Sequence, residues 1–438
     1  MTIGHSASEQ VLLHISGLDQ PGVTASLTCI LADEGAKLVS IGQSVLEGYL
    51  TLSALVQIQP GSDVLRKLLV SVSKQGLRLE IGTINSTTTT NETQTSTTSH
   101  GENDSKQQKN ALCITMIGEH LSDGKATSAL TQFLAKRSLT IEQIRTLSDK
   151  NLSGIEIISK PAIHEGNEKA SSNNSSDVDS STQDMSNASL ADLRKQILAL
   201  GKTLDADVAV QRDDIFRRNK RLVCLDVDST FAQGEFIDEL AAALGVKEQV
   251  AAITKRAMRG EIDFRSALSE RVALLKGLPL EKMMTVVRET KLTPGAAPFV
   301  KTLKALGFHV GLVSGGFDCF VGDLKERHGL DFAFANALEV ADGKLTGRTT
   351  GTIVDSERKA QVLRDMCQVY SCRIEQSVAV GDGANDINML EAAGLGIAFR
   401  GKPALQDVAD LSLNHSHRLD VIFYLMGFNA KELRELEL

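Results

Sequence analysis

The sequence predicts an α/β chain in three parts, two ferredoxin-like βαββαβ units followed by a parallel-sheet core carrying a helical cap. Three observations predict it. Short apolar runs at Leu222–Leu225, Phe308–Val313 and Ser377–Val380 are separated by helical stretches, the pattern of strands buried on both faces of a parallel sheet. Residues 237 to 289 carry helical periodicity, for example Leu268, Val272 and Leu275, broken at Gly260 and at Gly277-Leu278-Pro279. The order strand, helix, strand, strand, helix, strand occurs twice before residue 212.

The first unit reads as a strand at 10–17, a helix from Gly22 to Glu34, strands near 36–46 and 49–58, a helix at 62–76 and a strand at 77–83. The second repeats that order with strand 111–117, helix 124–137, strands 138–147 and 152–159, helix 189–200 and strand 204–211. Segments 85–109 and 163–187 are rich in Ser, Thr and Asn and nearly free of large apolar residues, so neither can bury enough surface to order itself. The first reads as a linker, the second as an insertion within the second unit. The expected domains are therefore 8–84, 110–212 and 219–438, with the cap at about 240–292.

In the third domain each apolar run ends in residues that carry chemistry. Leu222–Leu225 delivers Asp226-Val227-Asp228-Ser229-Thr230 to the end of its strand, where ligands bind in open α/β sheets. Phe308–Val313 ends in Ser314-Gly315-Gly316, a hydroxyl followed by glycines whose N–H groups stay open to an anion. Lys359 lies inside the helical pattern Ser356 to Val369, and Ser377–Val380 runs into Gly381-Asp382-Gly383-Ala384-Asn385-Asp386. An Asp-x-Asp pair alone is usually a turn or cap, and a lone helical lysine is usually solvated. The four in this order, each on an element of the right kind, point to one crevice.

These motifs resemble those of the haloacid dehalogenase-like phosphatases over roughly residues 220 to 425. Asp226-Val227-Asp228-Ser229-Thr230 followed by Glu235-Phe236-Ile237-Asp238-Glu239-Leu240-Ala241 is similar to the phosphoserine phosphatase branch, apart from Val227 in place of Met and Phe236 in place of Cys. The resemblance implies a Rossmann-like core and hydrolysis of O-phospho-L-serine through an aspartyl phosphate on Asp226, with Asp228 as general acid and then base. It implies Mg²⁺ held by the Asp226 and Asp382 side chains and the Asp228 backbone carbonyl, with Asp386 supporting the metal shell. Phosphate oxygens would be met by Ser314, Gly315 N–H and Lys359, with Asn385 orienting the phosphate or the lysine. Glu235 and Arg271 would take the substrate's ammonium and carboxylate, since a guanidinium pairs bidentately with a carboxylate. The plainer alternatives are a first-turn acid favoured by the helix dipole for Glu235 and a solvated cap residue for Arg271, and the motif register favours the functional readings. Met258 and Phe264 read as apolar cap residues, over the ligand or in the cap's own packing.

The first unit resembles an ACT domain at Gly17-Leu18-Asp19-Gln20-Pro21-Gly22-Val23. Asp19 there can hold an amino acid's polar ends or can cap the helix. The second unit has Gly118-Glu119-His120-Leu121 at the equivalent place and reads as structural. The resemblance implies a homodimer and an amino-acid effector such as serine. Phosphotransfer to another alcohol such as homoserine is the alternative chemistry. A non-enzymatic sensor on a dead core is the other alternative, and the intact Asp226, Asp228, Lys359 and Asp382 argue against it.

Composition sets outer bounds. A 438-residue chain expects two or three domains, and a net charge of −8 without a basic, aromatic-interleaved patch argues against nucleic acid as a partner. Neither a membrane-length apolar run nor a signal-peptide pattern after Met1 is found, so a cytoplasmic protein without membrane attachment is expected. The six cysteines lack Cys-x-x-Cys spacing and read as buried reduced thiols.

Overall fold

The computed structural model describes residues 9–59, 61–83, 111–149, 151–161 and 187–436. The segments expected to be disordered, 85–109 and 163–187, lie outside the described residues except for Asn187, which begins a helix. The chain divides into two compact units, one running to Asp214 and taking in Asn429–Lys431, the other running from Ile215 to Phe428 and resuming at Glu432.

The first unit holds β1 (Glu9–Leu18), α1 (Val23–Asp33), β2 (Lys37–Leu46), β3 (Tyr49–Ile58), α2 (Val64–Lys74) and β4 (Arg78–Thr83). It continues with β5 (Leu112–Ile117), α3 (Lys125–Ala135), β6 (Leu139–Thr146), β7 (Gly154–Pro161), α4 (Asn187–Leu204) and β8 (Asp207–Arg212). Val11, Leu13 and Ile15 alternate along β1, and Leu50, Leu52, Ala54 and Val56 along β3, so one sheet face joins the buried core. The β2–β3 hairpin closes on Glu47 and Gly48, both at positive φ (49° and 73°), matching the strands' twist. The two βαββαβ repeats share one eight-stranded sheet in the order β4-β1-β3-β2-β6-β7-β5-β8, joined where β2 pairs with β6 at Gln43↔Ile144 and Ser44↔Gln143. Above that seam α1 and α3 meet through the Thr28 and Thr131 hydroxyls, 3.3 Å apart.

The second unit is built on a seven-stranded sheet, β12-β11-β10-β9-β13-β14-β15, parallel except at the β12 edge. Its strands are β9 (Leu222–Leu225), β10 (His309–Phe317), β11 (Phe332–Ala341), β12 (Lys344–Thr350), β13 (Ser377–Gly381), β14 (Gly396–Phe399) and β15 (Leu411–Leu413). The central β9 lies between β10 and β13, so the three motif-bearing strand ends are neighbours. Leu222 and Cys224 pack with Val362, Leu363 and Cys367 of the helix α11 (Ser356–Val369). Between β9 and α9 (Ala296–Ala305) come four helices, α5 (Phe236–Leu244), α6 (Lys247–Met258), α7 (Phe264–Ala273) and α8 (Leu280–Glu289), which form the cap. Phe236 is buried and stacks on Phe320 of α10 (Asp318–His328), ring centroids 4.3 Å apart, so its bulk has a partner. The β11–β12 hairpin was not anticipated, and it is bonded to the cap: Gly277 N–H donates to Leu345 O (2.8 Å), Leu345 N–H to Leu278 O (2.9 Å) and Leu280 N–H to Gly343 O (2.9 Å).

Among the described residues no helix is long and apolar enough to cross a membrane. All six cysteines are free; Cys113, Cys224 and Cys367 are buried, and Cys29, Cys319 and Cys372 are only half-buried, which departs from the expectation of six buried thiols.

Candidate active site

The site grows from the end of β9. Asp226 N–H donates to Val380 O of β13 at 2.9 Å, which fixes the nucleophile candidate beside the third motif strand. The chain then turns sharply, with Ser229 in the left-handed region (φ 60°), and Asp228 swings back so that its Oδ1 accepts the N–H of Phe236 at 2.7 Å. Asp228 Oδ2 faces the Ser314 hydroxyl at 3.4 Å. Burial, and then the charge of Glu235, push the Asp228 carboxyl up to about 7.

Ser314 is buried, and its Oγ accepts the Gly316 N–H at 2.8 Å. A Cβ at Gly316 would stand 2.9 Å from Asp228 Oδ2, so only glycine lets this loop approach the acid. The neighbouring peptide is held by Asn336 of β11, fully buried, whose Nδ2 donates to Gly315 O and whose Oδ1 accepts Val354 N–H, both at 2.8 Å. Asn336 was not singled out from sequence; one asparagine in an irregular strand carries no periodic signal.

Lys359 on α11 has no exposed surface, and its Nζ lies 2.6 Å from Asp226 Oδ1 and 2.7 Å from Asp386 Oδ1. Burial alone would lower the ammonium's proton affinity, but the two carboxylates outweigh it and hold Lys359 protonated. Gly383 N–H donates to Asp386 Oδ2 at 3.1 Å, which orients that acid. Asp226, Asp382 and Asp386 bring one carboxylate oxygen each to within 4.8 Å of one another. The Asp228 side chain, turned to Phe236 N–H and Ser314, is not in this cluster. Burial and then Asp386 crowd Asp226 and push its proton affinity up against the pull of Lys359, and Asp382 rises to about 6 from burial, partly offset by Lys402. With Asp228, four carboxylates face one buried lysine. That excess of negative charge, carried on hard oxygen donors, fits a divalent cation. Lys402, 3.7 Å from Asp382 at the crevice rim, was also not singled out from sequence.

The cap supplies the remaining groups. Glu235 stands at the N-cap of α5 without a side-chain cap bond and is exposed. Arg271 on α7 donates from Nε to Ala267 O at 3.3 Å, and among the described residues no carboxylate lies within ion-pair distance of it. Burial lowers its proton affinity while Glu235, Asp238 and Asp228 oppose that. Phe264 packs over Gly315, its ring Cζ 3.2 Å from where a Cβ there would sit, whereas Met258 is 73% exposed. Asn385 is half-exposed beside Gly383.

In the first unit, Asp19 N–H donates to Gly48 O at 2.8 Å, and α1 is capped by Gly22 (φ 91°) with no side-chain bond, so Asp19 does not cap that helix. Burial raises the Asp19 carboxyl's proton affinity. Asp19, Gln20, Gln43, Thr131 and Ile141 line a cavity of about 20 Å³, room for about one water molecule. At the corresponding turn of the second repeat, Gly124 (φ 75°) lies near Thr28 O and Ala32.

Residues 220–394 match the haloacid dehalogenase-like hydrolase family, and residues 9–83 match the ACT domain family. The chain is 38% identical to phosphoserine phosphatase SerB2 of Mycobacterium tuberculosis, over 98% of this chain and 95% of that protein. It is 44% identical to the phosphoserine phosphatase of Methanocaldococcus jannaschii, over 48% of this chain and 99% of that protein. The solved structure of a probable phosphoserine phosphatase from Vibrio cholerae matches with a TM-score of 0.55 at 30% identity, covering 75% of this chain and 90% of that one.

Proposed function

Because the chain belongs to the phosphoserine phosphatases of the haloacid dehalogenase-like family, we propose that it hydrolyses O-phospho-L-serine to L-serine and phosphate through an aspartyl phosphate on Asp226. The observation that carries this reading is the buried bridge from Lys359 to Asp226 and Asp386 beside Ser314. Asp226 is the nucleophile. Its free Oδ2 attacks phosphorus while Oδ1 stays on Lys359, and the bond to the serine oxygen breaks as Asp228 donates its proton there. Asp228, then ionised, takes a proton from the water that attacks the aspartyl phosphate, which returns both carboxyls to their starting states. A proton affinity near 7 suits both halves of that cycle.

Lys359, the Ser314 hydroxyl and the Gly315 N–H stabilise charge on the equatorial oxygens, and Asn385 orients that group. Mg²⁺ is the cofactor we assign, held by the Asp226 and Asp382 side chains and the Asp228 carbonyl with Asp386 behind them; when bound it screens the nucleophile from the phosphate so that two anions can approach. Arg271, with its N–H groups not taken by a carboxylate, receives the substrate carboxylate, and Glu235 receives the ammonium.

We assign an amino acid such as serine to the cleft at Asp19, which must widen from its present volume to admit it. A homodimer is the assembly we expect, although the side-by-side ACT pairing is already supplied within one chain by β2 and β6. The cytoplasm is the expected compartment. The test is Mg²⁺-dependent phosphate release from O-phospho-L-serine beside a panel of other phosphomonoesters, with serine quantified. Preference for phosphoserine with equal serine and phosphate is expected. Equal rates across the panel would overturn the roles of Glu235 and Arg271, and free serine in excess of released phosphate would overturn simple hydrolysis in favour of transfer to another alcohol.

A further inference from the structure

We propose that Arg265 and Asp355 form a latch that holds the leading end of α7, and with it Phe264, over the phosphate-facing loop Ser314–Gly316. The two ends of α7 are fastened differently. Beyond its trailing end the chain is tied to the β11–β12 hairpin by the three backbone bonds around Gly277, Leu278 and Leu280. Its leading end is capped by Asp263, whose Oδ1 accepts Ser266 N–H at 2.8 Å, but that bond lies within the cap and ties it to nothing else. The tie to the core is Arg265, whose Nε and Nη2 both donate to Asp355 Oδ2, at 3.1 and 2.6 Å. The other oxygen of the same carboxyl, Oδ1, accepts Arg358 N–H at 3.0 Å and so caps α11, the helix that carries Lys359. One carboxylate thus divides its two oxygens between the cap and the helix of a catalytic lysine. The Arg265 guanidinium also lowers the Asp355 proton affinity, which keeps the acceptor ionised at neutral pH.

The position decides what the latch does. Phe264, next to Arg265, is the cap residue that packs on Gly315. A side chain as exposed as that of Arg265, at 68%, contributes little to global stability in an ion pair. A weak tie at the end of an otherwise anchored helix acts instead on local opening. Arg265 and Asp355 are therefore positioning residues, and the inference rests on the phosphoserine reading for its kinetic half only.

The test compares Arg265→Ala, Asp355→Ser and the double variant in the full-length protein. Serine is a competent N-cap, so Asp355→Ser keeps the start of α11 while losing the reach to Arg265. Two readouts are taken: hydrogen exchange of the α7 amides without substrate, and KM and kcat for O-phospho-L-serine. Each single variant should speed α7 exchange about two- to fivefold, the range expected for one exposed ion pair, and raise KM comparably with kcat held within about twofold. The double variant should match the singles, because either substitution opens the same latch. Unchanged exchange in both singles, or a double effect equal to the product of the singles, would overturn the latch. Wild-type protein that leaves phosphoserine intact would overturn the functional reading alone, and the exchange data would still decide the latch.

Discussion

A guanidinium held half-buried without a carboxylate partner must be compensated by something, and Arg271 is in that position, with Glu235, Asp238 and Asp228 near enough to act on its charge but not to pair with it. If the substrate carboxylate completes the pair, Arg271→Ala should lower kcat/KM for phosphoserine about 10- to 100-fold, the scale of one charged hydrogen-bonding interaction. A phosphate ester without a carboxylate should be nearly unaffected, and equal losses on both would make Arg271 structural. Glu235 acts on the site through charge as well. The Asp228 carboxyl is raised to about 7 by burial and then by Glu235, so it is protonated, and able to donate, on the acid side of that value. Removing the neighbouring charge lowers the Asp228 pKa, and the donor form is then lost at lower pH. The alkaline limb of the pH–rate profile should accordingly move to lower pH in Glu235→Gln, measured on an ester lacking the ammonium so that binding is not confounded. A limb that stays in place would mean that another group sets it.

Elements place these groups, and at one strand end the placement depends on a missing side chain. Gly381 closes β13, and a Cβ there would lie 2.5 Å from Asp386 Oδ2, so the acid that holds Lys359 occupies the space alanine would need. Gly381→Ala should displace Asp386, cost about 1–3 kcal/mol of stability and lower turnover at least about tenfold. A denaturant titration beside a rate measurement checks both, and full activity in a stable variant would show that the Asp386–Lys359 contact is dispensable. The motif strands were legible in the sequence because Leu222–Leu225 and Ser377–Val380 are buried on both faces and read as unbroken apolar runs. The first βαββαβ repeat was legible through alternation, as in Val11, Leu13 and Ile15, whereas β5 and β8 of the second are buried along nearly their whole length and read as short apolar-rich runs. The β11–β12 hairpin was not, because β11 buries only Phe332 and Asn336 fully and spends its middle on alanine and asparagine, residues without strand preference. Within the crevice, Asp226, Ser314, Lys359 and Asp382 stood out because each sits at a strand end or in a marked helix. Asn336, Lys402 and the Arg265–Asp355 pair did not, since their partners lie far away in sequence and no spacing announces them.

At the scale of the whole molecule, every group assigned to the chemistry belongs to the second unit, and the Methanocaldococcus jannaschii relative spans nearly its full length within 48% of this chain. If the groups proposed above suffice for the chemistry, turnover needs no residue before Ile215. The first unit has its own core and its own eight-stranded sheet, and its loop at Asp19 lines a cavity too small for an amino acid as it stands. An effector binding there must widen the cleft between α1 and β6, and the free energy of that rearrangement is what can bias turnover. A fragment beginning at Ile215 should hydrolyse phosphoserine with kcat/KM within about tenfold of the full chain. Its rate should show no response to serine beyond ordinary product competition, whereas the full chain should show an additional response that Asp19→Ala removes. Steady-state rates of the three proteins over a serine titration make the comparison. Identical serine curves for all three would assign the first unit to stability or assembly, because an amino acid that binds without a differential effect on two states cannot regulate either one.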